Sequence, residues 1–118
     1  MTMTFCALCS LTILGDTLER VERRAILDSL PHYQRPDGSF TAVHTGGEND
    51  MRFVYCACSV CTMLGDWSTV DKAATKSYIL NSQTHEGGFA QGPGLEAHGG
   101  STYCAVASLS MMVRLAAT

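Results

Sequence analysis

Val54-Tyr55-Cys56-Ala57 is the middle copy of a motif that occurs three times. Thr4-Phe5-Cys6-Ala7 precedes it and Thr102-Tyr103-Cys104-Ala105 follows it. The offsets are 50 from Cys6 to Cys56 and 48 from Cys56 to Cys104. A recurrence of this length marks a chain built by reusing one supersecondary unit. The first two copies also end alike, in Ile13-Leu14-Gly15-Asp16 and Met63-Leu64-Gly65-Asp66. A turn element repeats as well: Asp37-Gly38-Ser39-Phe40 stands before the second copy and Glu86-Gly87-Gly88-Phe89 before the third.

Each unit reads as two helices, and the class as all-α. The first helix, at 4–15, 51–65 and 100–115, is apolar nearly all round and should be buried on most sides. The second, at 17–30 and 69–82, is amphipathic. Leu18, Val21 and Ala25 share one face in the earlier copy; Val70, Ala73, Ala74, Ser77 and Tyr78 form the stripe in the later one. Ser68 or Thr69 is placed to cap the helix that follows, and Asp50 or Asn49 the helix at 51. No run alternates with period two over a useful length, so almost no sheet is expected. Alternating buried and amphipathic helices imply two concentric layers, with loops gathered at one rim that holds Asp50, Arg52, Glu96 and His98. The units run over 1–30, 37–82 and 86–118. Helical arrays need about three units with covered ends, so the chain is expected to be an arc of a larger closed array and to associate when alone.

With 46% hydrophobic and 16% charged residues, the 118-residue chain is a buried globular domain, not a disordered one. A net charge of −3 without a basic block argues against nucleic acid as a partner. Met1-Thr2-Met3-Thr4-Phe5 lacks the basic start of a signal peptide, and the apolar run from Phe5 to Leu14 is too short to span a bilayer. The six cysteines lie in apolar helical runs, not in zinc-knuckle turns, and Cys56, Cys58 and Cys61 would point around their helix instead of converging. Buried thiols in a reducing, cytoplasmic setting are the expectation.

The stretch with the most chemistry is Gly87-Gly88-Phe89-Ala90-Gln91-Gly92-Pro93-Gly94-Leu95-Glu96-Ala97-His98-Gly99-Gly100-Ser101-Thr102. Here a glycine-rich loop carries an acid and a histidine into the start of an apolar helix. Glycine lets backbone approach a ligand, free N–H groups at a helix start attract an anion, and His98 adds a donor. A phosphate-bearing small molecule fits this combination. The segment is neither a P-loop nor a dinucleotide fingerprint. The same glycines also serve a tight turn, and a lone histidine also serves as a structural hydrogen-bonder.

The repeat period, the Gly-Gly-Phe turn, Glu48-Asn49-Asp50-Met51-Arg52-Phe53-Val54-Tyr55-Cys56-Ala57, Ala90-Gln91-Gly92 and Leu95-Glu96-Ala97-His98-Gly99-Gly100-Ser101-Thr102 together resemble the beta subunits of protein prenyltransferases. Among these the type I geranylgeranyltransferase beta subunit is the nearest in pattern, since farnesyltransferase beta subunits carry an aromatic residue where Ser101 stands. The resemblance implies an alpha/alpha toroid around an apolar cavity, paired with an alpha subunit. It also implies transfer of a geranylgeranyl group from geranylgeranyl diphosphate to the cysteine of C-terminal C-a-a-X proteins. By resemblance, His98 is a diphosphate ligand, and Gly99 and Gly100 let the diphosphate lie against backbone. Tyr55 and Cys104 line the isoprenoid tunnel, and Arg52 sits near the isoprenoid and the peptide C-terminus. Each has a plainer alternative: core packing for Tyr55 and Cys104, an ion pair with Glu48 or Glu96 for Arg52. The family's zinc is held by an Asp-x-Cys pair and a later histidine beyond the His-Gly-Gly block, and this sequence contains no Asp-x-Cys. The expectation is a chain that holds no catalytic zinc and does not turn over alone. A non-catalytic helical-repeat interaction module and a farnesyltransferase-type beta subunit are the alternatives.

Overall fold

Helix α3, Met51–Leu64, is the centre of the molecule. The computed structural model describes residues 1–116. Met51, Val54, Val60, Cys61 and Leu64 of α3 are all essentially inaccessible to solvent. Burying each large apolar side chain contributes about 1.5–3 kcal/mol. Two further inner helices flank it: α1, Thr2–Ile13, on one side and α5, Gly99–Ala116, on the other. The neighbouring of α3 and α5 follows the expectation from their apolar character. Burial on most sides holds for α3 alone. Leu8 is the buried residue of α1, while Met3 and Ile13 are each 84% exposed, and Tyr103 of α5 is 63% exposed.

The outer layer consists of α2, Arg23–Ser29, continued by a 3-10 turn over Leu30–His32, and of α4, Lys72–Asn81. Both helices start later than their hydrophobic pattern suggests. After α1 the chain turns through Gly15 at φ 85°, the Asp16 carboxylate accepts the Leu18 N–H at 2.7 Å, and Leu18 sits at φ 64°. A leucine in that region cannot continue a helix, so residues 17–22 are a loop. The parallel loop after α3 has the same build: Gly65 at φ 68° and the Ser68 N–H on Asp66 at 2.8 Å. Consequently Asp71, not Ser68 or Thr69, caps α4, accepting the Ala74 N–H at 3.0 Å. Asp50 caps α3 through the Arg52 N–H at 3.0 Å, and such a cap contributes about 1 kcal/mol.

The expected inward stripes hold in part: Leu18 and Tyr78 are buried and Val21 and Val70 pack against the core. Ala25, Ala73 and Ser77 are exposed. Leu27 and Leu30 carry the buried face of the first outer segment, and Thr75, Tyr78 and Ile79 that of α4. Small residues were outcompeted by larger side chains two to five positions on, because each helix rotates to bury its greatest apolar area.

The repeated turns superimpose in hydrogen bonding. Arg35 N–H donates to Ser39 O at 2.8 Å and Thr84 N–H to Gly88 O at 2.8 Å; Gly38 at φ 91° matches Gly87 at φ 97°. Gly38 is obligatory, because a Cβ there would lie 2.1 Å from the Ala74 carbonyl oxygen of α4. Between the first such turn and α3 lies a small hairpin that the sequence pattern did not disclose. Its strands are β1, Thr41–Val43, and β2, Gly46–Asn49, antiparallel with an irregularity between Thr41 and Val43. Gly46 and Gly47 at φ 107° and 98° make the sharp return possible.

Candidate functional site

Three groups of contacts bring the Gly-rich loop, the start of α3 and the start of α5 together at one rim. Ser101 and Thr102 hold the loop to α5: the Ser101 hydroxyl donates to Phe89 O at 2.7 Å, and the Phe89 N–H donates to the Thr102 hydroxyl oxygen at 3.0 Å. The Gln91 carbonyl oxygen joins two helices to the loop, accepting from the Met51 N–H at 3.0 Å and from the Tyr78 hydroxyl at 2.8 Å. Gly92 passes so close to Tyr78 that a Cβ would stand 2.9 Å from its hydroxyl oxygen. The segment 89–92 is therefore rigidly placed, and the exposed residues 93–96 swing outward from it to His98.

His98 is the N-cap of α5 in function. Its Nδ1 accepts the N–H of Gly100 at 3.1 Å and of Ser101 at 3.4 Å, and its backbone oxygen accepts Thr102 N–H at 3.0 Å. Its Nε2 lies 3.3 Å from the side-chain amide of Gln91. A neutral imidazole has one donor and one acceptor nitrogen. Because Nδ1 is the acceptor, Nε2–H is the donor available to a guest. Gly99 is exposed, and a Cβ there would meet nothing within 4 Å. Packing inside this chain does not require that glycine. Because the cap takes the N–H groups of Gly100 and Ser101 and the His98 carbonyl takes that of Thr102, the Gly99 N–H is the first-turn donor without a partner among the described residues.

Arg52 takes a different course. Its guanidinium binds the Asp50 carboxylate through two nitrogens, at 2.9 and 2.6 Å, and Glu48 at 2.9 Å. Asp50 chiefly, then Glu48, hold its pKa above the ordinary arginine value. The guanidinium also lies 5.1 Å from the Phe53 ring centroid. Of the two ion-pair partners expected from sequence, Glu48 is used; Glu96 is exposed and forms no ion pair among the described residues.

Tyr55 lies between two aromatic neighbours at the same position of adjacent units. Its ring is 5.7 Å from Phe5 and 5.6 Å from Tyr103, edge-on to both. The row crosses α1, α3 and α5 at one level. Repetition of Phe5, Tyr55 and Tyr103 before the three repeated cysteines was the sequence signal for it. The phenol of Tyr55 is pushed up first by the Tyr103 hydroxyl and then by burial. Cys104 is half-buried, its thiol pushed up by desolvation and also by Asp50, with Arg52 opposing. Cys104 thus lies within electrostatic reach of the Asp50–Arg52 pair. Gln91 carried no chemical expectation from sequence, since a glutamine in a glycine-rich loop has no pattern of its own.

The residues do not fit zinc. Among the described residues no three histidine, cysteine, aspartate or glutamate side chains converge on a point. Cys58 and Cys61 are enclosed in the core, which pushes both thiols up to about 12, the opposite of what a metal-bound thiolate requires. Among the described residues no helix is long and apolar enough to cross a membrane.

Comparison with known proteins agrees with this architecture. A family model of the prenyltransferase alpha-alpha toroid domain matches residues 1–118. The chain is 50% identical over 109 residues to the geranylgeranyl transferase type-1 subunit beta of Arabidopsis thaliana, covering 92% of this chain and 29% of that protein. It is 35% identical over 114 residues to the protein farnesyltransferase subunit beta of Pisum sativum, covering 92% and 26%. Among solved structures, Candida albicans protein geranylgeranyltransferase-I complexed with GGPP superimposes with a TM-score of 0.78 at 26% identity, over 98% of this chain and 37% of that one. The chain spans less than a third of the length of these two curated relatives.

Proposed function

This chain belongs to the family of prenyltransferase alpha-alpha toroid domains, and from that premise we propose that it forms part of the beta subunit of a protein geranylgeranyltransferase type I. The carrying observation is the higher identity to the geranylgeranyl-type subunit, 50%, than to the farnesyl-type one, 35%, over the same share of the chain. Ser101 supports the same side: it is fully buried, with its hydroxyl on Phe89 O, and an aromatic ring would not fit there. In this reading the domain comprises the units 1–30, 37–82 and 86–118 and works in the cytoplasm, paired with an alpha subunit.

The reaction moves a geranylgeranyl group from its diphosphate to the cysteine of a C-a-a-X protein. The cysteine gives its thiol proton to solvent and its sulfur forms a bond to the allylic carbon as the carbon–oxygen bond to diphosphate breaks, the electron pair leaving on the diphosphate. Negative charge therefore grows on the departing oxygens. Donors fixed at that spot stabilise the transition state more than the ground state. His98 supplies Nε2–H, and Gly99 and Gly100 keep the start of α5 free of side chains so that the diphosphate can rest on it. Tyr55 and Cys104 line the apolar path of the prenyl chain. Arg52, already neutralised by Asp50 and Glu48, orients groups at the cavity edge; it is not a free cation for the diphosphate. Zinc, which the resemblance implies for complete members, finds no fitting donor set among the described residues, and no step is assigned to it.

The test pairs the subunit that carries this chain with an alpha subunit. Labelled geranylgeranyl and farnesyl diphosphates are offered with peptides ending in leucine or serine, the two classes read by the respective enzymes. Preferential geranylgeranylation of the leucine peptide is expected. Preference for farnesyl diphosphate with the serine peptide would make the subunit farnesyl-type, and no transfer with either donor would leave an interaction module.

A further inference from the structure

Gln91 is fastened by its backbone and free to act with its side chain. Its carbonyl oxygen carries the two bonds from Met51 and Tyr78. Its side-chain Nε2 stands 3.3 Å from Nε2 of His98, its one hydrogen-bonding neighbour among the described residues, while its Oε1 is buried without a partner. The imidazole's Nδ1 faces two backbone donors, the N–H groups of Gly100 and Ser101. Its proton therefore resides on Nε2. Two donors facing one another repel, and the oxygen and nitrogen of an amide exchange places by a half-turn. A half-turn of the amide from the placed orientation sets its oxygen against His98 Nε2–H, and that is the orientation we assign. Nothing in the fold depends on that contact, because the loop is held by the Gln91 carbonyl and not by its side chain.

We propose that Gln91 is a positioning residue for His98: the α5 cap on Nδ1 sets the Nε2–H tautomer, and the Gln91 side-chain oxygen fixes the direction of that N–H before the diphosphate arrives. The proposal rests on His98 being a diphosphate donor. When the ligand binds, the N–H turns from the amide oxygen to a phosphate oxygen, or is shared between the two. Without that oxygen the cap still holds Nδ1, but the Nε2–H loses its fixed aim.

The experiment uses the complex of the subunit carrying this chain with its alpha subunit, with geranylgeranyl diphosphate varied at saturating peptide. Gln91→Met keeps length and volume but removes hydrogen bonding. Gln91→Glu keeps an oxygen facing His98. Each is made in the native background and with His98→Ala. Gln91→Met is expected to lower kcat about three- to tenfold, the worth of one hydrogen bond, with donor KM within about twofold of native. Gln91→Glu keeps the acceptor but sets a negative charge beside the diphosphate, so it should raise donor KM where Gln91→Met does not, and Gln91→Met should add nothing once His98 is alanine, since the two residues act as one unit. An equal further loss in the His98→Ala background would show a structural role and overturn the proposal. Native kcat for Gln91→Met, where His98→Ala is impaired, would overturn it too. If His98→Ala itself turns over normally, the reading of His98 falls and this one with it.

Discussion

Replacing His98 by alanine and, separately, by asparagine separates the work of its two ring nitrogens. Nδ1 accepts the Gly100 and Ser101 N–H groups at 3.1 and 3.4 Å. Both bonds are longer than the usual 2.9–3.0 Å, so loss of the cap in His98→Ala should cost about 1 kcal/mol, within the range for such caps. Asparagine is among the preferred N-cap residues, and His98→Asn should restore stability to within about 0.5 kcal/mol. Nε2–H is absent in both variants. If that group meets charge on the departing diphosphate, both should lose about 2.7–4 kcal/mol of transition-state stabilisation, about a hundred- to thousandfold in kcat. The assays are denaturant unfolding of the alpha–beta complex followed by circular dichroism, and steady-state transfer at saturating donor and peptide. The expected pattern is one variant less stable and one near native, with equal loss of turnover. Native turnover in His98→Asn would refute the donor assignment. Equal stability of His98→Ala and the native protein would refute the cap.

Gly38→Ala should destabilise by about 3 kcal/mol or more, combining a positive φ with a Cβ at 2.1 Å from the Ala74 carbonyl oxygen, whereas Gly47→Ala, at φ 98° with open space around it, should cost about 1 kcal/mol; similar losses in urea midpoints would contradict the docking of that turn on α4. Enclosure in the core pushes the Cys58 and Cys61 thiols up to about 12 from an ordinary 9.0. The folded state therefore keeps protons that the unfolded chain releases, so their contribution is whole below pH 9.0 and is lost as pH rises toward 12. The melting midpoint should fall steadily above about pH 9, and a flat profile would count against burial of these thiols. At pH about 8 a thiol reagent should label exposed Cys6 and spare Cys58; rapid labelling of Cys58 would show that α3 is not enclosed. The 118-residue polypeptide by itself should associate through the exposed apolar faces of α1 and α5, and a monomeric elution on size exclusion with a sharp melt would refute this.

Sequence alone determined the repeat, the enclosure of α3, a cap for it at Asp50 or Asn49 and the place of His98 beside Gly99 and Gly100 at the start of α5. These are properties of short windows: a period, an apolar run, a capping residue two positions ahead of its N–H. What the window could not contain was decided by contacts from far along the chain. The carboxylate at 71 caps α4 because Gln34, 37 residues earlier, binds both the N–H and the carbonyl oxygen of Asp71. Residues 17–22 left the helical pattern because Asp16 captured the Leu18 N–H, and a leucine at positive φ leaves no compositional trace. Glu48 and Glu96 were equal candidates for Arg52 until the hairpin β1–β2 set Glu48 and Asp50 at the helix start beside it. That Gln91 stands 3.3 Å from His98 Nε2 depended on a loop whose anchors lie on α3 and α4. Periodicity encodes which face of a helix is apolar. The pairing of polar groups at a rim is settled only when burial of that face has brought distant segments within hydrogen-bonding distance.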